Sequence, residues 1–576
     1  MVELFLIDAI GPFFKDVNKK RINWSKVPFD LLELDGPQRR PQFDAIRADM
    51  QIFASRASAT GFNAATLDDL SHLADHPWYE PEVRRRLRVL REEFTALFDI
   101  LQRAGLQVFL TMDVFSATPA LDARLKGRES RVNAFLAELI DNFFTDFPSV
   151  AGLILRFGES DGVDVKGVFK SRLHLKTPGM VNRMLGELLP VFERHQRRLI
   201  LRTWTVGAYR IGDFMWHHGT FARALKGIDS PALVLSMKYG ESDYFRYLPL
   251  NRNFFRTHLP KIIELQTRRE YEGCGEYPSF VGWDYERYAR ELQQAPNMLG
   301  ISVWCQTGGW TSFRRRTYID ESGVWNELNT YVTLALFKAR VSVSTALEWW
   351  AAEHCSHAHA HADLLQLCRL SDEVIKELLY TEQFAVQTLF FRRVRIPPLL
   401  GVYWSTIFIN HSLRKIMRHY VADPEACVRA GYSALAKIRQ MQPLARSLGL
   451  PEDDIVYMKR TFKILALARQ YFFHPYDDSA RRRLEREKKR YKKRYPKGTR
   501  TRYTVRLDFS RFRLSSRFLR WFLAVTLRQR SRYRLIDYVL TMHLLALIYR
   551  LLSRARPGLV PKFARDSAMG IDIVFR

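Results

Sequence analysis

Cysteine is scarce in this chain. Five occur in 576 residues, at Cys274, Cys305, Cys355, Cys368 and Cys427, widely spaced and without a CxxC pair. An odd number at such spacing argues against a disulfide framework and fits a reducing compartment. Acidic residues are also in short supply: 61 Asp and Glu face 90 Lys and Arg, for a net charge of +29. A field of that sign draws anionic partners such as nucleic acid, anionic lipid or acidic polysaccharide. No run reaches ~18 uninterrupted apolar residues, so no membrane span is expected. The opening segment MVELFLIDAIGPFF is apolar, but it has no basic n-region and no small-residue cleavage site, and Glu3 and Asp8 interrupt it. It reads as a buried strand rather than a signal peptide. No P-loop, no GxGxxG behind a strand and no GxSxG is present, so no cofactor is expected.

What is present is ample apolar material: 47% hydrophobic residues, 13% aromatics and 12 Trp. At about 100–200 residues per domain, the length implies at least two domains or one large barrel with an extension. Residues 1–325 alternate short apolar runs with longer amphipathic ones. The runs are VELFLIDAI, FNAATLDD, LQVFLTMDV, AGLILRFGE, RLILRTWTV, ALVLSMKYG, KIIELQTRR and GISVWCQTG. Each has the β-rich character of a strand buried on both faces, and helix-like segments such as EVRRRLRVLREEFTALFDILQRAG lie between most of them. Eight such units in about 300 residues predict an α/β fold, a (β/α)8 TIM barrel. Polar residues collect where the runs end: Asp8, Asp68 and Asp69, Asp113, Glu159, Arg202, Lys238, Gln266 and Trp304. The C-terminal strand ends of this fold form its active face. Helix caps or ion pairs would also account for Asp8, Asp68 and Asp113. Glu159 stands out because Arg156, Ser160 and Asp161 crowd the same turn.

Residues 326–475 read as an α-helical domain throughout, with TYVTLALFKARVSVSTALEWWAAEH as one of its helices. Residues 476–576 form a basic, helical C-terminal extension. Positions 481–500 hold 12 Lys or Arg and two acids, Glu485 and Glu487. After them, FLRWFLAVTLRQR and YRLIDYVLTMHLLALIYRLLSR interleave aromatics and leucines with arginines. A basic amphipathic segment of this kind either lies on an anionic membrane surface or docks on the helical domain or a second subunit, in a homodimer. Nucleic acid is the weaker expectation, because no recognised module accompanies the charge. The chain is expected in the cytoplasm, peripheral to the inner face of the membrane.

His354, Cys355, His357, His359 and His361 invite a zinc reading, but alternating histidines in an interhelical loop fix no tetrahedral set. A polar loop is expected there, and no metal site. TGGW at 307–310 reads as a tight turn at the last strand end. The carboxylates carry the stronger signal. Glu159 ends the fourth run, Asp243 lies just past the sixth and Glu270 at or past the seventh. Strands of one barrel converge on one mouth, so these three can flank one bond. Glycoside hydrolysis requires one acid to protonate the leaving oxygen and a second carboxylate to activate water or attack the sugar. Arg156, Arg202 and Lys238 end the fourth, fifth and sixth runs. They either balance charge or hold an anionic group such as a uronate carboxylate, which arginine binds in bidentate fashion.

The segments AGLILRFGESDG, LILRTWTV, ALVLSMKYGESDYF, IIELQTRREYEG and ISVWCQTGGW resemble the successive strand ends of the family 67 α-glucuronidases. The resemblance is a distant one and covers about 150–350 well and 1–149 loosely. The resemblance implies a TIM barrel that removes a uronic acid from a glycan by an inverting mechanism, with Glu159 as general acid. It also implies a base drawn from Asp243, which keeps the family's spacing from Lys238, or from Glu270, which keeps the E-x-Q-x-x-x-E-Y pattern with Glu264, Gln266 and Tyr271. Arg202 and Lys238 match cations that hold the uronate, and Arg156 stands near a family lysine. Trp204, Gln266 and Trp304 complete the expected substrate-binding set. The region after 325, with its EWW, is also similar to the family's helical domain. The expectation is therefore a glycosidase of carbohydrate metabolism acting on an acidic polysaccharide. The alternative is a non-catalytic, glycan-binding scaffold barrel recruited to an anionic membrane or envelope polysaccharide by its tail.

Overall fold

Side chains in the first half of the chain alternate between two buried faces, and this alternation decides the architecture. The computed structural model describes all residues except 1, 2, 16–21, 24, 25, 159–166, 307–309, 312, 314–317, 476, 497–501, 511–514, 540–546, 548–550 and 552–576. Eight strands run β1 (Leu4–Asp8), β2 (Ala64–Asp68), β3 (Gln107–Asp113), β4 (Gly152–Arg156), β5 (Arg198–Arg202), β6 (Leu233–Lys238), β7 (Lys261–Gln266) and β8 (Met298–Trp304). All pair in parallel, and β8 returns to β1 with Leu4 opposite Gly300, closing the barrel. One side-chain set points inward: Leu4, Leu6, Ala64, Phe109, Ile154, Ile200, Val234 and Ile262 form a closed apolar cluster of their own. The alternate set, such as Ile7, Leu67, Leu110, Leu155, Leu201, Leu235 and Leu265, belongs to the larger core under the surrounding helices.

Period-two alternation then dictates what lies above the apolar plug. Two residues past Leu6 comes Asp8. One such step past Ile154 and Ile200 leads to Arg156 and Arg202, two steps past Ala64, Phe109, Val234 and Ile262 lead to Asp68, Asp113, Lys238 and Gln266, and the eighth strand ends in Trp304. Every strand thus delivers a polar or aromatic side chain to the C-terminal mouth.

The helices follow from the same residues. Along α2 (Pro81–Arg103), Val83, Leu87, Leu90, Phe94, Leu97 and Leu101 recur at helical spacing and are buried, and Pro81 fits the first turn, where no N–H bond is lost. Helix α1 (Arg39–Thr60) stops at Gly61, whose φ of 108° lets its N–H reach back to Ala57 and Ser58.

Beyond the barrel the structure departs from an all-helical reading of 326–475. The segment expected as one long helix is two, α3 (Val324–Leu334) and α4 (Val343–His354), joined by a π turn over Ala335–Ala339. Arg340 is left-handed at φ 57°, and the Ser342 hydroxyl caps α4 by accepting from Thr345 N at 3.1 Å. A capping serine amid β-branched neighbours competes with helix continuation. After α5 (Ala360–Val374) come four short strands, among them β9 (Phe390–Phe391), β10 (Val402–Tyr403) and β11 (Thr406–Asn410), in a stretch containing Pro397, Pro398 and Gly401. Helices α6 (Pro424–Ser447) and α7 (Glu452–Phe473) follow.

The basic extension is stitched into this body. Helix α8 (Asp478–Arg494) buries Ala480, Leu484, Glu487 and Tyr491, and Glu487 pairs with Lys463 of α7 at 2.9 Å. Strand β12 (Thr504–Asp508) pairs in parallel with β11, and β13 (Leu527–Arg528) pairs with β9. The Tyr503 hydroxyl meets that of Tyr277, in the loop after β7, at 2.8 Å.

Candidate active site

The mouth divides into two charged halves. On one side Asp113 binds two cations, Arg156 Nε at 3.0 Å and Lys26 Nζ at 2.5 Å. Val27, next to that lysine, donates its N–H to Asp68 Oδ2 at 2.9 Å, so the loop after β1 straps the ends of β2 and β3. Burial, opposed by Arg156 and Lys26, pushes the Asp68 carboxyl up to about 7. Burial does the same to Asp69, to about 6, against the pull of Lys26. Asp113 goes the other way: burial raises it, and the two cations more than reverse that.

These shifts have a stability consequence whose sign is fixed. Between about pH 4 and pH 7 the folded chain holds protons on Asp68 and Asp69 that the unfolded chain releases near 3.9. Their contribution to stability is full below the unfolded value and is lost as pH rises through the folded one. Asp68→Asn cannot ionise yet keeps an acceptor for Val27. The variant is expected to be more stable than the native chain near pH 8 by on the order of 2–4 kcal/mol, and similar to it near pH 4. Denaturant unfolding at the two pH values measures this, and equal stability differences at both would refute it.

On the other side Arg202 clasps Glu264 through Nε and Nη2, each at 2.9 Å. Glu264 also accepts from Ser236 Oγ at 2.8 Å and Tyr244 OH at 3.0 Å. Burial raises this carboxyl, but Arg202 reverses the effect and holds it at about 2. The Arg202 guanidinium lies over the Trp304 ring at 4.8 Å. Lys238 sits between the Trp204 and Tyr244 rings, at 3.7 and 4.2 Å, and its Nζ donates to Asp243 Oδ1 at 2.5 Å. Asp243 further accepts from Tyr244 N at 3.0 Å and from Tyr271 OH at 2.8 Å.

Glu270 follows β7 and is buried. Its N–H donates to Gln266 Oε1 at 2.9 Å, so Gln266, expected to bind substrate, braces the turn that carries Glu270. The charges of Asp243 and Glu270 both act on two phenols, Tyr271 and Tyr403. Burial and both carboxylates hold Tyr271 and Tyr403 well above the usual tyrosine range, so both stay protonated. The Tyr271 and Tyr403 rings are 5.9 Å apart. Underneath, Glu272 accepts from Arg246, Arg269, Ser279 and Tyr380. Arg246 in turn reaches Asp284 and Asp372, each at 2.9 Å. This buried lattice anchors the loop bearing Glu270 and Tyr271 to α5 and the segment after it.

The structure thus gathers Asp243, Glu270, Lys238, Arg202, Trp204, Gln266 and Trp304 at one mouth, with Arg156 tied to the opposite half. Glu159 and most of TGGW lie outside the described residues. The chain enters position 159 from Gly158, which bridges to Thr205; a Cβ there would lie 2.0 Å from the Trp204 carbonyl. Sequence reasoning missed Tyr403 altogether. Tyr244, Glu264 and Tyr271 stood in quoted segments without a role. Among the described residues, the buried Trp304 Nε1 has no hydrogen-bond partner, which makes it a donor for a ligand oxygen. At 354–361, His354 stacks on Trp350 at 4.2 Å and His361 contacts Ser344; no cluster of metal ligands occurs among the described residues.

Fold and mouth together define a (β/α)8 barrel with a charged, aromatic-lined C-terminal face and an extensive helical region behind it. Neither a protein-family model nor a curated protein matches the sequence. Solved structures do match in fold. A GH138 enzyme targeting pectin rhamnogalacturonan II aligns over 85% of this chain and 59% of its own, at 11% identity and a TM-score of 0.50. This chain therefore spans about three fifths of that protein. The β-mannanase of the blue mussel Mytilus edulis aligns over 59% of this chain and 94% of its own, at 13% identity and TM-score 0.34. A D-allulose 3-epimerase from Methylomonas sp. aligns over 59% and 99%, at 11% and 0.31. At 11% identity the likeness to the GH138 enzyme is one of fold alone.

Proposed function

We propose that the barrel is a glycoside hydrolase that inverts configuration at a uronic or similarly acidic sugar. The observation that carries this reading is the pair of buried carboxylates Asp243 and Glu270 on the loops after β6 and β7, with Lys238 and Tyr271 bonded to Asp243. Two carboxylates in a buried mouth are the minimum apparatus for glycoside hydrolysis. In this scheme Glu159 protonates the leaving oxygen, a role that rests on the likeness to family 67 α-glucuronidases. Water attacks the anomeric carbon from the opposite face, losing its proton to Asp243 or Glu270. Arg202 and Lys238, each already paired with a carboxylate, would hold the substrate carboxylate as charged hydrogen-bond donors rather than through a net positive field. Trp204 and Trp304 offer ring faces to the sugar.

Azide rescue separates the two candidate bases. Asp243→Ala and Glu270→Ala each remove a carboxylate and leave space for a small anion. In the variant lacking the base, azide is expected to restore turnover and yield the glycosyl azide of inverted configuration. The other variant is expected to gain nothing. Rescue of neither, with the substrate still bound, would count against a base at this mouth.

A further inference from the structure

The end of the chain holds a bare aromatic face that the barrel chemistry does not use. Helix α9 (Ser516–Thr526) buries Leu523 and Thr526. Phe518, Trp521 and Phe522 on the same helix are exposed by 47, 59 and 45%. The spacing i, i+3, i+4 puts them on one face. Their rings lie against one another, with centroids 5.6 Å apart for Phe518 and Trp521 and 6.3 Å for Phe518 and Phe522. Three large aromatics turned together into water are costly unless something covers them.

The face is held rigidly to the body. Strand β13 directly follows α9 and pairs with β9. Arg534 donates to the carbonyls of Ala524 and Val525, at 2.9 and 2.7 Å, closing the C-terminal end of α9. Arg528 pairs with Asp537 at 3.1 Å. Tyr533 and Arg393 both bind Asp213, which lies in the loop after β5.

Charge says what covers it. From residue 509 to 536 the sequence has eight arginines and no acid. Arg517 and Arg520 are exposed beside the aromatics, and Arg530 and Arg532 are exposed just beyond β13. No helix among the described residues is long and apolar enough to cross a membrane. We infer that this aromatic face inserts into the headgroup region of an anionic lipid bilayer, with the flanking arginines on the lipid phosphates. Aromatic rings at that depth with cations around them are the usual chemistry of a helix lying in the interface. The inference is independent of the glycosidase reading.

The test is flotation of the full-length chain with vesicles of phosphatidylcholine alone or of equal parts phosphatidylcholine and phosphatidylglycerol, at low and high salt. Binding to the anionic vesicles is expected, weakened but not abolished by salt. The triple variant F518S/W521S/F522S touches only exposed side chains, so its thermal unfolding should match the native chain's. Its partitioning is expected to fall on the order of a hundredfold. Arg517→Gln and Arg520→Gln should each lower it about fivefold at low salt. Brominated lipid should quench native fluorescence more than that of Trp521→Phe. Absence of flotation at both salts, or unchanged flotation of the triple variant, overturns the inference. So does a native dimer that the triple variant converts to monomer without vesicle binding, which would give the face to a second copy.

Discussion

Glu270→Gln is expected to lower turnover of a uronate-bearing glycoside by about 10²–10⁴-fold in a chain that still unfolds cooperatively. The amide keeps the size of the carboxylate and loses only its basicity and charge. Asp243→Asn is expected to lower turnover comparably, but with a structural cost. Asp243 is the partner of buried Lys238 and accepts from Tyr271. An amide in its place answers the lysine with a weaker dipole, at about 2–3 kcal/mol of stability. Paired kinetics and thermal melts of the two variants therefore separate chemistry from support. Native turnover in both would remove these carboxylates from the reaction. A loss in Asp243→Asn alone, in proportion to its unfolding, would make that residue structural.

The second large effect concerns the C-terminal extension. A chain ending at residue 475 is expected to aggregate and to lose cooperative melting. Truncation there removes Leu484, Tyr491 and Tyr503, all buried against the body. Burial of such side chains is worth about 1.5–3 kcal/mol each. The cut also uncovers β9 and β11 by deleting their partners β13 and β12, and unpaired strand edges invite association. Summed, these losses rival the total stability of a typical domain, about 5–15 kcal/mol. Size-exclusion chromatography and calorimetry of the truncated and full chains decide it. A monomeric truncated protein with a sharp transition would show that the extension is dispensable to the fold.

The barrel was legible because its strands are buried on both faces. LQVFLTMD and KIIELQ stand out as short runs rich in β-forming apolar residues that end in polar ones, and the observed strands begin and end within a few positions of those runs. The strands at 390–410 were not legible. They are two to five residues long, too short for any period to show, and β9 and β11 find partners about a hundred positions or more downstream. The break between α3 and α4 is equally local: Arg340 ends the π turn by adopting a left-handed backbone that its neighbours' helical spacing conceals. The site splits the same way. Asp243, Glu270 and Lys238 follow from strand-end position. Tyr403 reaches the mouth from a strand far beyond the barrel, and only tertiary packing brings it there. The pairing of Arg202 with Glu264 joins side chains on strands two apart, which a linear reading of cations and carboxylates does not reveal.

The central claim is hydrolysis with inversion at an acidic sugar. Its most direct test is proton NMR of the full-length protein acting on a glycan that ends in a uronic acid, with the first-formed anomer of the released sugar read before mutarotation. The account predicts release of the sugar in the configuration opposite to that of the substrate, and none with Glu159→Gln. Release with configuration retained would contradict the inverting mechanism. A glycan that binds at the mouth and is never cleaved would contradict hydrolysis itself.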